Sequence, residues 1–183
     1  MISEFLETYT ELEILTIHAV ADRELSPVTL TYGDIACKGR LLHSREFLRR
    51  EFFPRLERLN AAYHEHDIAC LFHSDGYVMD VIPDLIAAGC DGLNPIETVA
   101  GMSLREVREK YCYQLFLAGG IDISQLMALG TQEQVRQACR KAIADACPGC
   151  FIGSTTELDN SARLENILAM LEVAWASGPV KGC

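Results

Sequence analysis

Four residues that can move protons or bind ions follow two apolar stretches of this sequence: His73, Asp75, Asn94 and Glu97. An imidazole can transfer protons near neutral pH or ligate a metal ion. Carboxylates can act as acids, as bases or as ligands for hard cations. Because the carboxyl ends of neighbouring parallel strands meet at one edge of a sheet, we expect these four side chains to share one rim.

The elements that must position these residues form one strand-helix-strand unit. Residues 68–72 are nearly all apolar, a pattern typical of a strand buried on both faces of a parallel sheet. Residues 77–88 place apolar side chains at helical intervals, and Gly89 is the stop signal. Residues 91–96 form the next strand. The sequence therefore predicts a βαβ crossover with a polar tip after each strand.

Three further predicted strands also end in polar residues. Asp34 follows the first of them, Asp122 comes after paired glycines at the end of the second, and Ser154 follows the third. Lys38 lies in the loop after Asp34. The predicted strands are residues 27–32, 115–118 and 150–153, and the predicted loop is residues 35–43.

Helices are predicted between these strands from apolar residues at helical spacing. Pro54 should kink or break a long helix that begins after Ser44. Thr131 and Gln134 form a capping box. The first helix, residues 4–22, has a predicted buried stripe of Leu6, Tyr9, Leu12, Leu15 and Ala19. The last helix has a predicted buried stripe of Leu164, Ile167, Leu168, Leu171 and Trp175. We expect the tail that follows, to Cys183, to be loose.

Five strands that alternate with helices indicate a parallel α/β fold. Five strands cannot close an eight-stranded barrel, which usually takes about 250 residues. Either the sheet is open and doubly wound, or the chain is part of a (β/α)8 barrel with some strands absent. We expect residues 1–183 to form a single domain, because this length is short for two.

Composition and charge exclude several classes of partner. The formal net charge of -10 argues against nucleic acid and against an anionic membrane, since both attract basic surfaces. The sequence opens without a basic segment followed by an apolar core, and no run approaches the ~20 apolar residues of a membrane span. We expect a cytoplasmic protein.

The eight cysteines indicate packing more than chemistry. Cys70, Cys90 and Cys139 lie in apolar surroundings, where free cysteine behaves as a small hydrophobe. Cys147 and Cys150 have the spacing of a redox pair, but they follow a helix, whereas thiolate activation favours the amino end of a helix. We expect a turn with two buried thiols. The histidines that lie away from the rim, to which we assign no chemistry, are His18, His43, His64 and His66.

Six short motifs, in this order, resemble the uroporphyrinogen decarboxylase superfamily, which includes corrinoid-dependent methyltransferases. The resemblance covers nearly the whole chain and corresponds to the C-terminal portion of the family's (β/α)8 barrel. It implies a partial barrel whose N-terminal units lie outside this sequence. The motifs are GDIACKGRLLHS (residues 33–44), FFPRL (52–56), FHSDG (72–76), GLNPIE (92–97), AGGID (118–122) and GTQE (130–133).

For the decarboxylases, the resemblance implies decarboxylation of the acetate side chains of a porphyrinogen without any cofactor. The family site positions the acetate group and stabilises a protonated pyrrole by electrostatics. The implied catalytic residues here are Asp34, His73 and Asp75. The implied substrate contacts are Lys38, Asn94, Glu97, Asp122 and Ser154.

For the methyltransferases, the resemblance implies methyl transfer with a corrinoid or a divalent metal. Their zinc ion is held by a His-x-Cys pair and a further cysteine near the last strand. Here His73 matches, but Asp75 replaces the first cysteine and Ser154 falls where the second would be. His73, Asp75 and Glu97 are instead the candidate ligands for a harder ion.

Two other interpretations remain open. The chain could be an inactive half-barrel that pairs with another polypeptide, as a homodimer or with a missing N-terminal half, through strand edges at residues 27–32 and 150–153. Alternatively, an open flavodoxin-like fold also has five parallel strands. That fold requires a phosphate-binding glycine loop after the first strand, and residues 33–38 are a poor match. The expected ligand is a small molecule, either a tetrapyrrole or a methyl donor.

Overall fold

Five parallel strands, each paired with the preceding strand of the same sheet, form the centre of the fold in the order β1-β4-β5-β6-β7. A doubly wound sheet reverses its strand order part-way, whereas a barrel does not. The partial-barrel prediction is therefore confirmed over the described residues, 2–178. The predicted loose tail to Cys183 lies outside them. The strands are β1 (Val28–Tyr32), β2 (Ala36–Cys37), β3 (Arg40–Leu41), β4 (Ala69–His73), β5 (Gly92–Ile96), β6 (Phe116–Ile121) and β7 (Cys150–Ser154).

Helices connect the strands. Pro54 has the predicted effect, because a π-helical segment, Leu48–Phe52, precedes it and α-helical geometry resumes at Phe53. The capping box of Thr131 and Gln134 is present. No helix in the part of the chain that the structure describes is both long enough and apolar enough to span a membrane. The helices are α1 (Ile2–Val20), α2 (Arg45–Phe47), α3 (Phe53–His64), α4 (Ile82–Ala87), α5 (Leu104–Tyr111), α6 (Gln132–Ala146) and α7 (Leu164–Ser177).

The core lies between the helices and one face of the sheet. Phe72 of β4 is buried there and meets the ring of Phe52 at 5.9 Å between centroids. Residues that alternate with the buried ones carry side chains on the opposite, concave face. On that face Tyr32 is 67% exposed and Phe151 is 52% exposed. The sheet is therefore covered on one side only, although strands of a parallel sheet are usually buried on both faces.

The predicted stripe of α1 is wrong, because α1 buries Thr10 and Ile17 while Tyr9, Leu12 and Leu15 are exposed. The helix packs on α3 partly through polar contacts. The Arg55 guanidinium donates a hydrogen bond to the Ser3 carbonyl (3.2 Å) and pairs with Glu7 (3.4 Å). The apolar stripe is therefore largely exposed, and its first residues, Leu6 and Tyr9, line a cavity beside α3.

The predicted stripe of α7 is also wrong. The helix buries Asn166, Ala169, Met170 and Val173, whereas Trp175 is 77% exposed. The Asn166 amide donates hydrogen bonds to the carbonyls of Met127 (3.0 Å) and Gly130 (2.9 Å). Because a buried amide needs these partners, this polar side chain fixes the rotation of the helix.

Three further predictions need correction. Residues 36–41 form a short antiparallel hairpin, β2 with β3, inside the predicted loop. Strand β6 extends to Ile121, so Gly119 and Gly120 lie within the strand and not at its tip. Both glycines have a positive φ that other residues rarely adopt. The thiols of Cys147 and Cys150 are joined in a disulfide whose Cα atoms are 5.2 Å apart, a normal separation for such a bond.

Arg108 of α5 organises the end of the sheet where β6 and β7 begin. Its guanidinium is half-buried, and burial lowers its pKa. Five backbone carbonyls accept hydrogen bonds from it, and an arginine has enough N–H groups for all of them. The acceptors are the carbonyls of Cys112, Leu115, Ala146, Pro148 and Gly149, at 2.6–3.2 Å.

Gly92 at the start of β5 gives a test of this packing. A methyl group there would lie 2.3 Å from Leu71 Cδ1 and 2.8 Å from the Phe116 carbonyl oxygen. We expect Gly92→Ala to lower the free energy of unfolding by about 1–3 kcal/mol, because the backbone must move. Urea denaturation of both proteins measures the difference.

The matched control is Gly153→Ala in β7, since a methyl group at Gly153 meets nothing within 4 Å. We expect this variant to unfold within about 0.5 kcal/mol of the parent protein. Equal stability of the two variants would show that β4, β5 and β6 pack differently.

Candidate active site

A row of three side chains crosses β1, β4 and β5 near their carboxyl ends. Tyr32 pairs in register with His73, and His73 pairs with Asn94. The Tyr32 and His73 rings lie 5.3 Å apart between centroids. His73 Nδ1 and Asn94 Oδ1 are 2.8 Å apart. Because a carboxamide oxygen can only accept, Nδ1 of a neutral His73 carries the proton, and Nε2 keeps the lone pair.

The loop after β4 is held between two carboxylates. Asp34, after β1, accepts a hydrogen bond from the Asp75 backbone N–H (3.1 Å), and Glu97, after β5, accepts one from the Gly76 N–H (2.6 Å). Within the loop, the Ser74 hydroxyl donates to the Asp75 carbonyl (2.9 Å). Asp34, Asp75 and Glu97 therefore lie close together at three adjacent strand ends.

Gly76 allows this loop to pack directly on the β2–β3 hairpin. Its φ is +91°, and a methyl group there would lie 2.6 Å from the Cys37 backbone nitrogen. The Tyr77 N–H donates to the Cys37 carbonyl (3.1 Å). The hairpin that the sequence reading missed therefore supports the loop that carries Asp75.

Asp75 is the rim residue with the perturbed acidity. Burial raises the pKa of its carboxyl, and the carboxylates of Asp34 and Glu97 raise it further, while His73 opposes the shift. Asp75 Oδ1 is buried and has no hydrogen-bond partner among the described residues. A neutral carboxyl with a free oxygen is suited to donate a proton to a bound molecule.

A cleft of about 270 Å³ lies on the concave face beside this row. His73 and Asn94 line it, and Ser154 and Glu157 line its far side, from β7 and the loop that follows. The Glu157 carboxylate also raises the pKa of Asp75. Among the residues that the structure describes, Glu157 is the one acidic residue that lines the cleft, and negative charge there favours a cationic ligand or transition state.

The structure places the remaining predicted residues less closely. Lys38 is exposed in the turn of the hairpin. The Ser154 hydroxyl lines the cleft but donates to the Thr156 carbonyl. The Asp122 carboxylate caps the π-helical segment Ile123–Met127, where it accepts from the Ser124 N–H at 2.9 Å. The carboxylate expected to contact substrate therefore serves as a helix cap in this structure.

The rim residues do not form a preassembled metal site. Among the described residues, the one group of three potential ligand atoms within 4.8 Å of one another is that of His64, Cys70 and Asp91, at the opposite end of β4. The set His73, Asp75 and Glu97 lacks this convergence, and it lacks the thiolates that favour zinc. The donor set at the rim therefore does not fit a bound metal ion in this arrangement.

Comparison with models of protein families shows to which family the chain belongs. The model of the uroporphyrinogen decarboxylase (URO-D) family matches residues 2–176, nearly the whole sequence. The chain belongs to the URO-D family. A search of curated proteins finds no match.

Comparison with a solved structure shows how much of a larger fold this chain contains. The chain is similar to a methyltransferase from Methanosarcina mazei, with a TM-score of 0.71 and 19% sequence identity over 92% of this chain. The match covers 47% of the methyltransferase chain, so this URO-D family chain spans about half of that length. At this identity the match shows the fold alone.

The raised pKa of Asp75 predicts a pH dependence of stability. Between the ordinary pKa of 3.8 and the higher pKa of the folded state, the folded chain holds a proton that the unfolded chain has lost. The contribution of Asp75 to the free energy of unfolding therefore decreases as the pH rises through this window. We expect Asp75→Asn to abolish this pH-dependent decrease in stability. The free energy of unfolding of the variant minus that of the parent should therefore be larger at pH 7 than at pH 3.

The matched control is Asp67→Asn, an exposed aspartate whose positive φ of 56° suits asparagine. Denaturant unfolding at both pH values measures the two variants against the parent. A relative stability of Asp75→Asn that falls between pH 3 and pH 7 would contradict the assigned sign.

Proposed function

We propose that this chain supplies the C-terminal half of a URO-D-type active site that decarboxylates an acetate side chain on an electron-rich ring. The observation that supports the proposal is the arrangement of Asp34, Asp75 and Glu97 at three adjacent strand ends, with an oxygen of Asp75 left unpaired. The porphyrinogen acetates of the family reaction are the proposed substrates.

The reaction needs a proton donor and an acidic environment, and the rim offers both. A neutral Asp75 donates a proton to a ring carbon, and the ring becomes cationic. The carboxylates of Asp34 and Glu97 stabilise that cation. The C–C bond to the carboxylate then breaks with its electrons moving into the ring, and CO2 leaves. The exocyclic methylene carbon then takes up a proton from solvent, and the ring carbon returns its proton to Asp75, which becomes neutral again. The net change is R-CH2-COO⁻ plus H⁺ to R-CH3 plus CO2.

The other rim residues have positioning roles in this proposal. Asn94 fixes the His73 tautomer, so that Nε2 can accept a hydrogen bond from a pyrrole N–H. Ser154 borders the same cleft. In this proposal, Lys38 in the exposed hairpin turn attracts the substrate's peripheral carboxylates. Asp122 is not included, because its carboxylate caps a helical segment.

Asp75→Asn tests the proton-donor role. Once a complete barrel is assembled from this chain and an N-terminal half, we expect the variant to lose at least about 100-fold in kcat, because general acid catalysis contributes about 10²–10⁴-fold. Release of CO2 from a porphyrinogen measures the rate. The control Asp67→Asn changes an exposed aspartate in the turn before β4 and should keep the parent rate.

Two outcomes would contradict the proposal. A full rate in Asp75→Asn would remove the assigned donor. No CO2 release by a verified complete barrel would remove the decarboxylase function. In the second case, transfer of a labelled methyl group to an acceptor tests the alternative.

That alternative is methyl transfer, which is favoured by the fold match to a methyltransferase. The Glu157 carboxylate in the cleft would suit a cationic methyl donor equally well. When bound, a corrinoid would supply the methyl-carrying chemistry in such a reaction. The rim residues of this chain would then contact the donor, and His73 would remain the residue to test.

The proposed partner of the chain is the N-terminal half of the same fold, whether it belongs to the same polypeptide or to another. The concave face exposes Tyr32 and Phe151, from the two edge strands of the sheet. An uncovered edge strand offers unpaired backbone groups to other chains. We therefore propose that the missing strands pair at β1 and β7.

The chain alone should self-associate through these edges. We expect its weight-average mass in sedimentation equilibrium to rise with concentration, and Phe151→Lys to weaken the association at least tenfold. Leu129→Lys, at an exposed leucine outside the sheet, is the control. A compact monomer at every concentration would remove the need for a partner.

A further inference from the structure

Three ligand-type side chains meet at the end of the sheet opposite to the rim. His64 ends α3, Cys70 lies near the start of β4, and Asp91 immediately precedes β5. One atom from each residue lies within 4.8 Å of the other two. These residues have no part in the proposed decarboxylation, because they lie at the amino ends of the strands.

Asp91 links the other two residues. Its Oδ2 accepts a hydrogen bond from the Cys70 backbone N–H (2.7 Å) and lies 2.8 Å from His64 Nε2. The Cys70 side chain is fully buried, whereas His64 and Asp91 are partly exposed, with 41% and 36% of their side chains accessible. The cluster therefore has a buried sulfur at its base and opens to solvent on the side of His64.

We propose that His64, Cys70 and Asp91 form a Zn²⁺ site in which water takes the fourth position. An imidazole nitrogen, a thiolate and a carboxylate are all established zinc ligands. Ligand atoms bound to one zinc ion lie roughly 3.3–3.8 Å apart, given bonds of about 2.0–2.3 Å. The three atoms therefore need shifts of only about an ångström, and the partly exposed His64 side chain can make most of them.

The charges of the site agree with a divalent ion. In the metal-free protein, burial and, to a lesser degree, the negative charge of Asp91 raise the pKa of the Cys70 thiol to about 12. Zinc binding displaces this thiol proton to water as the S–Zn bond forms. The resulting site, with one thiolate, one carboxylate and a neutral imidazole, has no net charge. A neutral site avoids the free-energy cost of a buried, unpaired charge.

Asn60 adds an independent observation at the same place. The side chain is fully buried, and its Nδ2 donates to the Ala88 carbonyl (2.8 Å) and contacts Cys90 Sγ (3.4 Å). The Cys70 Sγ lies 3.8 Å from the backbone carbonyl oxygen of Asn60. Asn60 Oδ1 is buried with no hydrogen-bond partner among the described residues. Asn60 therefore packs at the buried end of the cluster, where one of its acceptors lacks a partner from the described part of the chain.

The position of the site indicates a stabilising role. Its ligands come from α3, β4 and the residue before β5, so one ion would cross-link a helix to two adjacent strands. Binding of a metal to the folded state alone raises the stability of that state. The site would thus strengthen the end of the sheet that does not carry the rim residues.

Co²⁺ titration of metal-free protein tests the proposal, because a cobalt–thiolate bond gives a charge-transfer absorption band that nitrogen and oxygen ligands do not give. We expect the band to saturate at one equivalent and Zn²⁺ to abolish it. Cys70→Ser should remove the band. His64→Gln and Asp91→Asn should each raise the Zn²⁺ dissociation constant at least tenfold. The titration is run without a thiol reductant, so that the Cys147–Cys150 disulfide stays closed.

Matched controls separate this site from other ligands. His66→Gln changes a neighbouring histidine that pairs with His18, and Cys139→Ser changes another fully buried cysteine. Both should keep the band, and so should His73→Ala at the rim. Circular dichroism verifies that each variant is folded, and Zn²⁺ should raise the Tm of the parent but not of Cys70→Ser. A band that is absent from the parent, or that persists in Cys70→Ser, would overturn the proposal.

Discussion

The parallel register between β1, β4 and β5 is the constraint on which the candidate site depends. It aligns Tyr32, His73 and Asn94 across three strands, and it ends those strands at one edge. Once the strand ends are aligned, Asp34 and Glu97 reach the backbone N–H groups of the loop after β4. A one-residue slip of β4 would turn His73 to the helix side of the sheet. The acidic rim is thus a result of strand pairing more than of any single loop.

The same sheet also explains why the site is incomplete. Half of a barrel leaves the concave face open to water, and water screens the charges that border the cleft. The carboxylates around Asp75 would act more strongly after the remaining strands exclude solvent. Membership of the URO-D family and coverage of 47% of a solved chain are consistent with this view.

The sequence predicted the features that depend on local pattern. The five sheet strands, the effect of Pro54 and the grouping of the polar tips follow from runs of apolar residues and from turn chemistry. Tertiary contacts decided the rest. The rotation of α7 depends on hydrogen bonds from Asn166 to carbonyls about 40 residues earlier, which no periodicity reveals. The spacing of apolar residues in α1 marked one apolar face, but it could not indicate that this face is exposed.

Clusters that combine residues from distant parts of the sequence could not be predicted from the sequence either. His64, Cys70 and Asp91 belong to a helix end, a strand and a turn, and the sequence reading assigned the histidine no chemistry. An aspartate just before a buried strand was the only available signal. The disulfide between Cys147 and Cys150 depends on the backbone geometry of the turn between them. The spacing of the two cysteines alone does not fix that geometry.

Arg108 has a consequence for how this half of the molecule opens. Its five carbonyl acceptors belong to the segments that follow α5, begin β6, end α6 and lead into β7. If any one of these segments separated alone, a half-buried guanidinium would be left with unpaired donors. The segments therefore behave as one cooperative unit in local unfolding, and their backbone amides should exchange with solvent together.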